Sequence, residues 1–336
     1  MTDKSLNKGY KTEELLRSYF QEIGYYVVRG CIFWFKEKNV TDVDLWLYNR
    51  PSVLERKRII VDSKRGASPK ALQRILWTLG MKEILGADDC IVATNDRSRD
   101  IKDFGELHQV GVLDGSFIQR LKLDPTRFTE EEFLKLTNNQ SEIKQPDNWN
   151  RRYQNSKSRL LSKLNFSGCI QCLNDIKYFL EQVVHNPSER EKALRLSYAI
   201  TSHFLIIVDF ILKNLPFLDK EEKSQRLING LRYGTKGKDF MELTLKISKG
   251  DTGTRKWLDQ SLKDIPVKDL ADFLLRPEIS KSLFQQAVDL ESLAYSKHLV
   301  GLKDMEILPL STLYVLADYF GIKRVDFKES ASSVLT

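Results

Sequence analysis

Two acidic patterns decide what chemistry this chain could perform. Thr41-Asp42-Val43-Asp44-Leu45 comes first, and Ile60-Val61-Asp62-Ser63-Lys64 follows, with Asp44 and Asp62 18 residues apart. In an extended strand, residues two apart share a face, so Asp62 and Lys64 project together while Ser63 points away. Asp42 and Asp44 share a face for the same reason. Pairing of the two segments would bring Asp44 and Asp62 together at one end of a sheet. Two carboxylates so placed make a hard-oxygen site suited to Mg²⁺ or Mn²⁺, ions that keep waters and accept phosphate oxygens. Such an ion polarises a phosphate and lowers the pKa of a bound water. Lys64 beside it would stabilise negative charge developing on the attacking oxygen or the phosphorus centre. The chemistry implied is hydrolysis of a phosphodiester bond without a covalent intermediate. A surface ion pair between Asp62 and Lys64 would be worth little, and it leaves the preceding acidic strand unexplained.

The elements that must position these groups alternate helix and strand. Residues 12–20 carry apolar side chains at helical spacing, and Gly24 ends that run. Residues 25–28, 32–35 and 43–48 read as strands, and Asn49-Arg50-Pro51-Ser52 is turn chemistry. Residues 58–64 form a fourth strand, rich in β-branched side chains. Ser68-Pro69 starts a helix that includes Ala71, Leu72, Ile75 and Leu76, with Ser68 as the cap. A strand over 91–94, a short helix over 100–109 and a closing segment 110–121 complete the alternation, which predicts an α/β fold with a mixed sheet. Residues 126–158 turn polar and read as a linker. Beyond them nearly every segment has helical period, over 172–184, 189–212, 220–231, 240–247, 281–294 and 310–319. The expected organisation is an α/β domain over 1–125 and an all-α domain over 159–330.

The first of these domains resembles the PD-(D/E)XK restriction-endonuclease-like superfamily, in its Mrr-type and Holliday-junction-resolvase-like branches. The resemblance covers residues 9–122. Glu13-Glu14-Leu15-Leu16 ahead of Gly24-Tyr25 resembles the family's glutamate-bearing first helix, and Asp42-Val43-Asp44-Leu45 its Asp-bearing strand. Val61-Asp62-Ser63-Lys64 resembles its (D/E)xK strand, and Ile91-Val92-Ala93-Thr94-Asn95 followed by Gly111-Val112-Leu113-Asp114-Gly115 its Mrr-type ending. The chain departs from the pattern in two places. No proline precedes Asp44, and Ser63 stands where the family has an apolar residue. The resemblance implies metal ligation by Asp44, Asp62 and the helix-borne Glu13, with Lys64 as the catalytic lysine. Glu13 fits its spacing to Gly24 better than Glu14 does. Gln73, on the next helix, matches a polar residue that some branches place near the active site. The resemblance further implies a Mg²⁺- or Mn²⁺-dependent endonuclease acting on DNA in restriction or defence against foreign DNA, assembled as a homodimer or larger. RNA presents the same phosphate chemistry and is not separated from DNA by the sequence. A second reading is a nuclease-fold subunit that binds nucleic acid or a partner and is inactive alone.

The chain of 336 residues is 41% hydrophobic and 29% charged, ordinary values for a globular protein, and its formal net charge is +7. Residues 1–150 carry 24 Lys and Arg against 23 Asp and Glu, whereas the remainder carries 29 against 23. A basic excess suits a polyanion partner. Arg65, Arg97 and Arg99 flank the strand ends near the acidic pair, and Arg151, Arg152 and Lys157 belong to a run of five basic residues without an acid; all six are candidate phosphate contacts. Cys169 and Cys172 have the spacing of half a zinc site, but no second pair completes it and the segment reads as helical. The loop 234–239 lacks the first glycine and the Ser or Thr of a phosphate-binding loop. No nucleophile-elbow pattern appears. Four scattered cysteines and a polar N-terminus lead us to expect a reduced, cytoplasmic protein. The apolar stretch 198–212 contains His203 and Asp209 and reads as a buried helix rather than a membrane span.

Overall fold

The computed structural model describes residues 8–64, 70–138, 148–237 and 266–334. Arg65, the helix start at Ser68-Pro69 and the helix expected over 240–247 lie outside them. The chain divides into two compact units, Met1–Phe133 and Leu134–Thr336.

In the first unit, helix α1 (Lys8–Glu22) is followed by three antiparallel strands, β1 (Tyr26–Phe35), β2 (Lys38–Asn49) and β3 (Lys57–Lys64). Helix α2 (Lys70–Leu85) then crosses to β4 (Asp89–Thr94), and α3 (Arg99–Leu107) to β5 (Gly111–Leu113). The sheet order is β1-β2-β3-β4-β5, antiparallel through β3 and parallel from β3 to β5. Short α4 (Gly115–Ile118) follows. This is a mixed five-stranded sheet flanked by helices. The two strands expected over 25–28 and 32–35 are one continuous strand. Gly30 interrupts the apolar pattern but keeps the register, adopting a φ of +64° that its missing Cβ permits.

Alternation along the strands sorts the sheet into two faces. Val27, Leu45, Leu47, Ile59, Val61 and Ala93 form one core with Leu16 and Phe20 of α1. The opposite face carries Trp46, Tyr48, Ile60 and Val92, all buried, beneath the inward residues Ala71, Ile75, Thr78 and Met81 of α2. Both faces of β3 are thus covered, which explains its continuous apolar run. Truncating a fully buried leucine such as Leu16 removes about 2–5 kcal/mol of stability.

The second unit is helical throughout its described residues. Its longest helix, α8 (Arg190–Leu212), follows α6 (Trp149–Ser162) and α7 (Phe166–His185). The segment Pro187–Leu212 has the length and composition of a membrane span, but 94% of that window is buried among its neighbours, as in a core helix. Asn148 and Asn165 cap α6 and α7 by accepting hydrogen bonds from Arg151 N and Gly168 N. The stretch 126–158, expected as a linker, instead contains helix α5 (Glu130–Leu136) and the first ten residues of α6. Its polar side chains misled the composition reading because several are paired inside. Arg152 donates to Asp175 of α7 at 2.9 Å, as does Arg159 just beyond the stretch at 2.6 Å.

Candidate functional site

The β2–β3 ladder runs from Asn49↔Lys57 to Leu45↔Val61. Carried one step further, that register sets Asp44 across from Asp62 on the α2 face, and the Asp62 charge acts on Asp44. The backbone ladder lapses there, and the Asp44 carboxylate takes its place: Ser63 N donates to Asp44 Oδ2 at 2.6 Å. Burial pushes the Asp44 carboxyl up to about 7. The Ser63 N–H opposes that rise, while the negative charges of Asp62, Glu13 and Asp42 add to it. Asp44 therefore sits in a field that a divalent cation would relieve.

Asp62 is 5% exposed. Arg74 of α2 holds it with both arms of its guanidinium, Nε donating to Oδ2 at 2.7 Å and Nη2 to Oδ1. Arg74 is itself packed over the Trp77 ring at 4.0 Å. Sequence reasoning chose Gln73 on this helix and missed Arg74. The signal was present: Ala71, Arg74, Ile75 and Thr78 recur at helical spacing, so a cation lies on the sheet-facing stripe of α2. Gln73 is exposed and lines a cleft of about 250 Å³ with Lys64, Lys70 and Arg74. Lys64 is exposed at the end of β3, two residues past Asp62 on the same face.

Glu13 is bound by a cation of its own. Arg29, the cross-strand partner of Leu45 and so on the α1 face, draws Glu13 to it at 2.7 Å. The same guanidinium binds Glu14 at 2.7 Å and Glu131 at 2.8 Å. Glu14 is buried and also accepts from Glu130 N, so it ties α5 to α1. Burial raises the Glu13 carboxyl, and Arg29 offsets part of that rise. Among the described residues, no three His, Cys, Asp or Glu side chains are grouped closely enough to hold a metal ion. Glu13, expected as a third ligand, is engaged by Arg29 in this structure, while its negative charge still acts on Asp44.

Of the expected phosphate contacts, Arg97 is exposed and lines a second cleft that also contains Lys64. Arg99 is exposed and lies 3.8 Å from Asp103. Lys102, in the same cluster, is paired to Asp114 at 2.5 Å. Arg151 is exposed on the first turn of α6. Arg152 is half-buried, bound to Asp175 and stacked on Tyr178, whereas Lys157 does not face solvent: it is fully buried with its ammonium 5.1 Å from the Tyr153 ring centre. The helical period of α6 turns Lys157 inward, so the basic run does not form one continuous solvent-facing stripe. Cys169 and Cys172 are free, buried thiols.

No family model matches the chain, and no curated protein does. Among solved structures, a crystal structure of the protein of unknown function AF1548 aligns at 12% identity, over 62% of this chain and all of that one, with a TM-score of 0.26. A score that low establishes no shared fold.

Proposed function

We propose that the first unit is a divalent-metal-dependent endonuclease of the PD-(D/E)XK restriction-endonuclease-like class, acting on DNA. The observation that supports this reading is the register of β2 and β3, which, continued one step past Leu45↔Val61, brings Asp44 across from Asp62 with Lys64 two residues beyond. The order of elements, a helix, three antiparallel strands, a crossover helix and a parallel strand, agrees with that class. The donor set fits a small hard cation: two carboxylate groups, one raised by burial and further by neighbouring negative charge, and one already attracting a cation from α2. Mg²⁺ or Mn²⁺ bound there supplies charge to polarise a phosphate and to activate water.

The chain's own residues do the rest. Asp44 and Asp62 hold the ion, and Ser63 N fixes the orientation of the Asp44 carboxylate. Lys64 places an ammonium against the charge that grows on the phosphate oxygens. Arg74, released from Asp62, is within its helix's reach of the same cleft and supplies a planar fork suited to phosphate. Restriction or defence against foreign DNA is the setting that accompanies the resemblance, and a homodimer the assembly.

A second reading has a specific observation behind it. The Arg74 guanidinium already neutralises Asp62, as it would in a nuclease-fold subunit that binds nucleic acid or a partner and is inactive alone. Calorimetric titration with Mg²⁺ and Mn²⁺, alone and with added DNA, separates the two. The nuclease reading predicts saturable binding that Asp44→Asn abolishes. A silent titration in both conditions favours the inactive subunit. Parallel incubations with single-stranded and duplex RNA decide whether the substrate is DNA.

A further inference from the structure

We infer that the chain carries a nucleotide subsite next to the candidate catalytic pair, in the cleft that opens on the far side of Lys64. The inference rests on the nuclease reading for its neighbour, but its walls are observed independently. The cleft is about 310 Å³ and lies outside the carboxyl ends of β3 and β4. Ligands of open α/β sheets bind at that edge because loops there expose side chains and backbone groups without burying unpaired strand atoms.

Lys64 lines this cleft as well as the cleft that contains Arg74. The first cleft is walled by α2, on the face of Asp44 and Asp62. The second is walled by Thr12 of α1 and by α4, on the opposite face. A nucleic-acid strand whose phosphate rests at Lys64 would pass over the sheet edge and deliver its next nucleotide into the second cleft.

The lining matches that ligand in kind. Lys64 and Arg97 offer two cations for phosphate. Asn95 and Gln119 offer carboxamides, each with a donor and an acceptor, which is the complement of a base edge. Ile118 supplies an apolar surface for the ring. The walls are also locked together. Gly115 N donates to Asp96 O at 3.1 Å, and a Cβ at Gly115 would sit 2.4 Å from Asn95 O. Asp114 holds the start of α4 by accepting from Phe117 N at 2.8 Å. The Leu-Asp-Gly turn thus presses α4 onto the chain that follows β4 and fixes where Asn95 stands.

The test is fluorescence anisotropy with the full chain in EDTA, on fluorescein-labelled 20-mers, single-stranded and duplex, varied at one base. The variants are Asn95→Ala with Gln119→Ala, Gln119→Glu, Arg97→Ala and Asp44→Asn. We expect the wild type to discriminate among the four bases by about fivefold or more and the double variant to lose that discrimination. Gln119→Glu, nearly isosteric at an exposed position, should weaken every oligonucleotide by about tenfold through charge repulsion. Arg97→Ala should weaken all sequences alike, and Asp44→Asn should leave the base preference intact. A chain that binds with this base preference yet never cuts DNA upholds the subsite and defeats the nuclease reading. A double variant that keeps the wild-type base preference overturns the subsite, as does a wild type that binds none of the probes, whatever the cleavage assay shows.

Discussion

Asp44 and Asp62 have the same chemistry and opposite environments. Asp62 has a guanidinium on both oxygens, whereas Asp44 has one backbone N–H and the charge of its neighbours. With its carboxyl raised to about 7, Asp44 is favoured in the protonated form by the folded chain. Its contribution to stability without metal is present below about pH 4 and is lost as pH rises through about 7. Asp44→Asn keeps an acceptor for Ser63 N and carries no charge, so its melting temperature in EDTA should exceed the wild type's at pH 8, with the gap closing at pH 5. Divalent affinity should run the other way, rising from pH 6 to 8 in the wild type. Arg74→Ala leaves a buried carboxylate without its partner. That variant should lose about 1–3 kcal/mol in chelator by denaturant titration, and added Mn²⁺ should restore part of the loss. Lys64 is exposed, so Lys64→Ala should leave the melting temperature unchanged while lowering the cleavage rate about a hundredfold.

Strand β3 was legible in the sequence because it is covered on both faces, and a strand buried on both sides needs the continuous β-branched run that residues 59–61 supply. The acid-x-Lys at its end was legible for the same reason, since charge seldom follows such a run unless the strand has reached an edge. Arg29 was not legible. It sits in an apolar strand and gathers Glu13, Glu14 and Glu131 from two helices; nothing local to residues 25–35 says that three acids will come to it. That hub occupies Glu13 with a cation of the chain's own. Arg29→Met would leave these carboxylates, one of them buried, without a cation, at a cost of about 3–5 kcal/mol. Chemical denaturation monitored by the tryptophans should show this as a lower midpoint. Helix α6 failed for a related reason: composition cannot tell a solvated basic run from one whose helical period points it at Asp175 and the Tyr153 ring.

At the scale of the molecule, the two units divide the basic excess unequally, with the larger share beyond residue 150. Part of that share is internal, so net charge overstates the surface available to a polyanion. The salt dependence of DNA binding reports the difference directly. Arg97→Ala should lower the slope of log affinity against log salt by about one, whereas Arg152→Ala should leave the slope unchanged and destabilise the helical unit. Pairing of Asp44 with Asp62 around a divalent ion would show itself in hydrolysis. Supercoiled plasmid and labelled oligonucleotides are incubated with the full chain in Mg²⁺ or Mn²⁺, beside Asp44→Asn, Asp62→Asn and Lys64→Ala. The wild type should cleave, chelator should stop it, and each substitution should reduce the rate at least about a hundredfold. Cutting that survives all three substitutions, or intact DNA with the folded wild type in either metal, would contradict that pairing.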